Sequence, residues 1–176
     1  MLEKEDSKNV PLPAAPESPG FFSSEILKGF SVDITGQDVV LVGRPGSGKT
    51  TFSQALSKKH PKHTLISTDD FMHLGYEQSM YAVLGYVKEQ KRQGKNVIVE
   101  GVQGPRLLRK GAEQGTFIPG LIIELTISDK EQAEAYASRG GITPGVLAMN
   151  KNIETVLSEY KEMEKIKYPN WVSIRR

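Results

Sequence analysis

The chain is expected to fold as an α/β domain in three layers, a mainly parallel sheet of four to five strands flanked by helices. Three observations carry this reading. Short apolar runs alternate with stretches of helical spacing along most of the sequence. Val39 to Val42 is a continuous apolar run, as in a strand buried on both faces. A glycine-rich turn separates that run from the helical stretch after it.

The elements follow in order. Residues 1–20 hold prolines at 11, 13, 16 and 19 among charged and small residues and read as a flexible Pro-rich leader. Residues 21–176 read as the folded domain. Phe30, Val32 and Ile34 alternate with polar residues, the pattern of a short strand, and Thr35 to Asp38 reads as a turn. After the strand at Val39 to Val42 the spacing predicts a helix over 48–59 and a second strand over Thr64 to Ser67. A helix over 77–93 places Met80, Val83, Leu84 and Val87 on one face. Val97 to Val99 forms a third strand after the turn Gly94-Lys95-Asn96, and a basic helix follows over 105–114. Leu121 to Ile127 is a fourth strand. Asp129 is placed to cap a helix at about 130–138, which Arg139-Gly140-Gly141 ends. Thr143 and Pro144 open a last helix over about 144–166.

Composition excludes several classes. No apolar run reaches the roughly 20 residues that a membrane helix needs. The acidic start MLEKEDSKNV is not a secretory signal. There is no cysteine, hence no disulfide, thiolate site or thiol nucleophile, which suits a cytoplasmic protein. A net charge of +2 does not itself imply nucleic acid. Basic clusters occur at Lys58, Lys59 and Lys62, at Lys88, Lys91, Arg92 and Lys95, and at Arg106, Arg109 and Lys110. Solvated helix faces account for them, and nucleic acid stays open as a partner.

Residues 43–50 read GRPGSGKT and satisfy G-x-x-x-x-G-K-[ST]. The glycines permit backbone conformations through which successive N–H groups wrap phosphate oxygens. The helix that follows adds its N-terminal dipole. The nucleotide-binding set is Gly43, Arg44, Pro45, Gly46, Ser47, Gly48, Lys49, Thr50 and Thr51. Lys49 can reach the β- and γ-phosphates, and the Thr50 hydroxyl can ligate Mg²⁺. The ligands expected are therefore ATP and Mg²⁺.

In an open parallel sheet, ligands bind beyond the carboxyl ends of the strands. Ser67-Thr68-Asp69-Asp70-Phe71 follows the second strand. Its carboxylates can face Mg²⁺ and an acceptor hydroxyl, or can serve as a turn or cap. Asp69, nearer the strand end, is the candidate base and metal ligand; Asp70 is a candidate acceptor contact. Glu100 ends the third strand, as a metal-holding acid or as a buried acid satisfied by N–H groups. Gln103 and Arg106 follow as candidate acceptor-binding residues. Arg139, before Gly140-Gly141, is either a lid arginine or a C-terminal cation favoured by the helix dipole. His60, His63 and His73 read as surface residues without zinc-ligand spacing.

GRPGSGKTT, STDDF about seventeen residues later, VIVEG and SRGGITPGVLAMNK together resemble the P-loop kinases, within the P-loop NTPase fold. The chain is most similar to the 5′-hydroxyl polynucleotide kinase and zeta-toxin type, over about residues 38–163. The resemblance implies ATP, Mg²⁺ and phosphorylation of a hydroxyl. It implies that Lys49 stabilises the transferring phosphate, Asp69 deprotonates the acceptor and Arg139 clamps the transition state. Polynucleotide kinases carry an arginine three residues after the catalytic aspartate; Met72 stands there, which speaks against a polynucleotide acceptor. The resemblance does not extend to the N-terminal stretch of about 37 residues.

ILKGFSVDITGQDVVLVGRPGSGKT also looks like the opening of a transporter-type ATPase domain, but no LSGGQ-like signature follows. The expectation is a kinase that moves the γ-phosphate of ATP to a hydroxyl of a nucleotide, a nucleic-acid 5′ end or a small metabolite. Two alternatives remain. One is a nucleotide-dependent accessory ATPase or switch acting on a protein or nucleic-acid partner. The other is a nucleoside monophosphate kinase whose Arg92, Arg106 and Arg109 converge on an acceptor phosphate. Sequence does not give the acceptor or the oligomeric state.

Overall fold

A computed structural model of the chain describes residues 32–163 and 170–175. The 1–20 leader and Phe30 lie outside the described residues. Five parallel strands form one sheet: β1 (Val39–Gly43), β2 (His63–Ser67), β3 (Asn96–Glu100), β4 (Leu121–Thr126) and β5 (Asn170–Arg175), in the order β2-β3-β1-β4-β5. Helices α1 (Lys49–Lys59), α2 (Tyr76–Arg92), α3 (Gly104–Gln114), α4 (Asp129–Ala137) and α5 (Pro144–Lys161) complete the fold, with a 3₁₀ turn over Thr68–Leu74.

The period-2 alternation of β1 explains the layers. Val40 and Val42 face a core shared with Val83, Val87, Leu107, Leu108, Ile153 and Leu157, on helices α2, α3 and α5. Val39 and Leu41 face the opposite core, with Phe52 and Leu56 of α1. Every residue of β1 is buried. Each such apolar side chain contributes about 1.5–3 kcal/mol by leaving water. Gly104 lets α3 approach the sheet, since a Cβ there would stand 3.2 Å from the Leu41 carbonyl oxygen.

The structure corrects five expectations. Val32 to Ile34 is not a strand; Ile34 is buried from a loop, packed on the α1 side. The cap of α4 is Ser128, not Asp129: its hydroxyl accepts from the Glu131 N–H at 3.2 Å, and Glu131 accepts from the Ser128 N–H at 2.7 Å, a reciprocal capping box. Helix α5 ends at Lys161 rather than near 166, although Thr143 caps it as expected. A fifth strand lies at Asn170–Arg175, where the sequence pattern places none. His63 is not a surface residue: it is 9% exposed, and its Nε2 lies 3.1 and 2.9 Å from the carbonyls of Ile34 and Gln37. Two carbonyls can only accept, so this nitrogen carries the hydrogen.

Candidate active site

The glycine loop lies between the carboxyl end of β1 and the first turn of α1. Gly46 and Gly48 hold φ of 82° and 89°, a left-handed conformation that L side chains rarely adopt. Gly48 is the N-cap of α1, with no side chain capping it and no acid in the first turn. The helix therefore presents the positive end of its dipole to the space beyond the sheet without an acid of its own in the first turn.

That space is a cleft of about 790 Å³. It is lined by Lys49, Thr50, Asp69, Glu100, Tyr136 and Arg139, among others. Four separate segments thus meet there: the loop, the 3₁₀ turn after β2, the end of β3 and the turn after α4. Pro45, Gly46, Gly48 and Thr51 also line it.

Lys49 is 7% exposed and donates from Nζ to the carbonyls of Gly43 at 2.8 Å and Arg44 at 3.0 Å. Burial lowers its pKa to about 8 against the opposing pull of Glu100 and Asp69. Glu100 is 3% exposed, and burial raises its pKa above the carboxylate range. Its Oε2 accepts from the Thr50 hydroxyl at 3.2 Å. Asp69 is exposed to the cleft and is held from behind: Oδ1 accepts from the Val102 N–H at 3.1 Å and from Thr68 Oγ1 at 3.4 Å. Thr68 in turn accepts from the Gln103 N–H at 3.3 Å.

The donor set of this cleft suits a magnesium nucleotide. A hydroxyl and two carboxylates are hard oxygen ligands, and Mg²⁺ ordinarily takes few protein ligands, completing its shell with water and phosphate. Among the described residues no group of three or more His, Cys, Asp or Glu is placed to hold a metal. A buried lysine held only by carbonyls is a ready partner for phosphate oxygens.

Other candidates lie elsewhere. The Arg44 side chain points away from the cleft, to Asp129 at 2.6 Å and to Glu154. Ser47 is buried, its hydroxyl without a hydrogen-bond partner among the described residues. Asp70 is exposed and does not line the cleft. Arg139 is exposed, with its guanidinium 5.5 Å from the Tyr136 ring centre. Gln103 is buried and donates to the Met72 sulfur at 3.3 Å. Gln103 and Arg106 line a smaller pocket of about 190 Å³ with Tyr76, Met149 and Asn152, which shares Val102 with the main cleft. Arg106 stacks over Tyr76 at 4.8 Å. Arg92 and Arg109 pair with Glu89 and Glu159 and do not line the main cleft, which counts against the monophosphate-kinase alternative.

Sequence reasoning missed Gln132 and Asn150, a buried amide pair against the loop, because amides at helix positions read as solvent-facing. It missed Tyr136 too, which sits on the same polar helix.

No family model matches the chain, and no curated protein sequence matches it. Solved structures do. A chain of the Pnkp1/Rnl/Hen1 RNA repair complex matches with TM-score 0.54 and 21% identity, over 74% of this chain and 46% of that one. A gluconokinase from Sinorhizobium meliloti 1021 matches with TM-score 0.52 and 15% identity, over 78% and 81%. A shikimate kinase from Acinetobacter baumannii, in complex with shikimate, matches with TM-score 0.50 and 12% identity, over 80% and 83%. No helix among the described residues is long and apolar enough to cross a membrane. The parallel five-stranded sheet with its flanking helices is the three-layer α/β fold of P-loop kinases.

Proposed function

We propose that the protein is a cytoplasmic, ATP- and Mg²⁺-dependent phosphotransferase. It moves the γ-phosphate of ATP to a hydroxyl of a nucleotide, a nucleic-acid 5′ end or a small metabolite. The observation that carries the reading is the meeting of Lys49, Thr50, Glu100, Asp69 and Arg139 around one cleft. Each is of the type that phosphoryl transfer uses, and they come from four segments far apart in sequence.

In this reading the loop and the first turn of α1 hold the β- and γ-phosphates, with the Lys49 ammonium leaving its two carbonyls for phosphate oxygens. Thr50, Glu100 and Asp69 would hold Mg²⁺, directly or through water, and its charge would offset that of the phosphates. Asp69 accepts the acceptor's proton as its oxygen bonds to the γ-phosphorus. The bond from that phosphorus to the bridging oxygen breaks, and ADP leaves. Arg139 neutralises charge spread over the equatorial oxygens. The acceptor enters from the side where Gln103 and Arg106 line the adjoining pocket.

The test is Asp69→Asn. ATP binding should persist, while transfer to an acceptor found by screening nucleosides, oligonucleotides and sugars falls about 10²- to 10⁴-fold. Transfer at the original rate would overturn the assignment of the base. ATP consumption that no hydroxyl acceptor stimulates, but a protein partner does, would favour the switch ATPase.

A further inference from the structure

Two layers of side chains tie the phosphate loop to helices α4 and α5. In the outer layer, Arg44 donates from Nη1 to Asp129 at 2.6 Å and from Nε to Glu154 at 3.0 Å. In the inner layer, Gln132 Nε2 donates to the Pro45 carbonyl at 2.9 Å and to Asn150 Oδ1 at 3.0 Å. Asn150 Nδ2 donates back to Gln132 Oε1 at 2.7 Å. Asp129 and Gln132 are three apart on α4, and Asn150 and Glu154 four apart on α5. Each helix therefore supplies one residue to each layer from a single face.

The inner layer is 1% exposed at Gln132 and 7% at Asn150. An apolar pair could fill this space without the cost of dehydrating two amides. What the amides add is direction: they fix the Pro45 carbonyl, and so the turn at the start of the loop. The same helix carries Tyr136, whose ring would stand 3.1 Å from a Cβ at Gly46. The Tyr136 carbonyl accepts from the N–H of Arg139 at 2.8 Å and of Gly141 at 2.9 Å. A continuous set of contacts runs from Pro45 and Gly46, through Gln132 and Tyr136, to Arg139.

We propose that Gln132 and Asn150 are positioning residues that join the phosphate loop to the Arg139 turn as one unit. Nucleotide held by the loop then meets the arginine at a fixed height. The inference rests on the nucleotide-binding reading above.

It is tested by amide hydrogen exchange over residues 136–141, with and without saturating Mg²⁺ and a non-hydrolysable ATP analogue, in the full chain. In the wild type, nucleotide should slow exchange there about tenfold. Gln132→Leu and Asn150→Leu should still bind, with affinity about threefold to tenfold weaker, and should lose that slowing. The double variant should be no worse than either single one, because each deletes the same unit. Should the leucine variants not fold, Gln132→Met keeps the length and nearly the volume of the side chain while removing the donation to Pro45, and it should lose the slowing too. Nucleotide-dependent slowing that survives in a folded variant overturns the inference and leaves nucleotide binding intact. So does a wild type that binds nucleotide without slowing. A wild type that binds no Mg·ATP overturns both.

Discussion

The Thr50 hydroxyl and the Glu100 carboxylate face each other at 3.2 Å, joining the first turn of α1 to the last residue of β3. The acid is buried, and burial is the main reason its pKa is raised, with the neighbouring Asp69 charge adding to it. The fold therefore bears a cost for keeping it ionised. Glu100→Gln removes that charge while keeping shape. The Mg²⁺ concentration needed for half-maximal ATP binding should rise about tenfold to a hundredfold. The thermal midpoint at neutral pH should not fall. Titrating Mg²⁺ against nucleotide binding, alongside a thermal melt, checks both; an unchanged Mg²⁺ requirement would remove Glu100 from the metal side.

Lys49 gives a pH signature. Its pKa in the folded chain is about 8, below the ordinary 10.5. The folded state thus binds fewer protons than the unfolded state between those values, and stability rises with pH across that window. The full swing is about 3 kcal/mol. Glu100 acts with the opposite sign. Its folded pKa is raised, so stability falls as pH climbs from 4.5 through that raised value. Phosphate contact should restore the Lys49 proton. Mg·ATP binding at about pH 8 should then take up about half a proton. Calorimetry in two buffers of different ionisation enthalpy reads this number. Zero uptake would place Lys49 away from the phosphates.

These groups are legible in the sequence because their signals are local. The apolar run of β1, the glycines and Lys49-Thr50 lie within twelve consecutive residues. Asp69 lies two residues beyond the second strand and Glu100 ends the apolar third, at the edge of a parallel sheet where ligands bind. The missed features depend on partners distant in sequence. Val32 and Ile34 alternate as a strand would, but Ile34 is anchored through its carbonyl to His63, 29 residues away. His63 follows Pro61 and Lys62, a surface context, and is buried by that same contact. Strand β5 is half-exposed; it is held by Trp171 Nε1 donating to Glu124 at 2.9 Å and by Lys161 over the Trp171 ring at 4.5 Å. Asp129 has a cap residue's chemistry, yet Ser128 caps the helix and Asp129 pairs with Arg44. Spacing along the chain carries no information about such pairings.

Gly101 shows how closely the base is placed. Its φ is 123°, outside the range of ordinary L residues, and it directly follows Glu100. A Cβ here would overlap Thr68 Oγ1 and stand 2.9 Å from Asp69 Oδ1. Thr68 is fully buried and also accepts from the Gln103 N–H, so its side chain has little room to yield by itself. Because the hardest overlap is with Thr68, the turn that carries Thr68 and Asp69 must shift away from Gly101 as a unit, and Asp69 loses its bond from Val102. Gly101→Ala should therefore reduce phosphoryl transfer about 10²-fold, since small misplacements of a reacting group have effects of that size. Strain at the backbone should lower stability by about 1–3 kcal/mol. ATP affinity should change far less, because the loop and Lys49 lie on other segments. Binding by calorimetry, acceptor-dependent turnover and a denaturant melt separate the three effects. Equal losses of ATP affinity and turnover would mean that Gly101 shapes the nucleotide site rather than the Asp69 carboxylate.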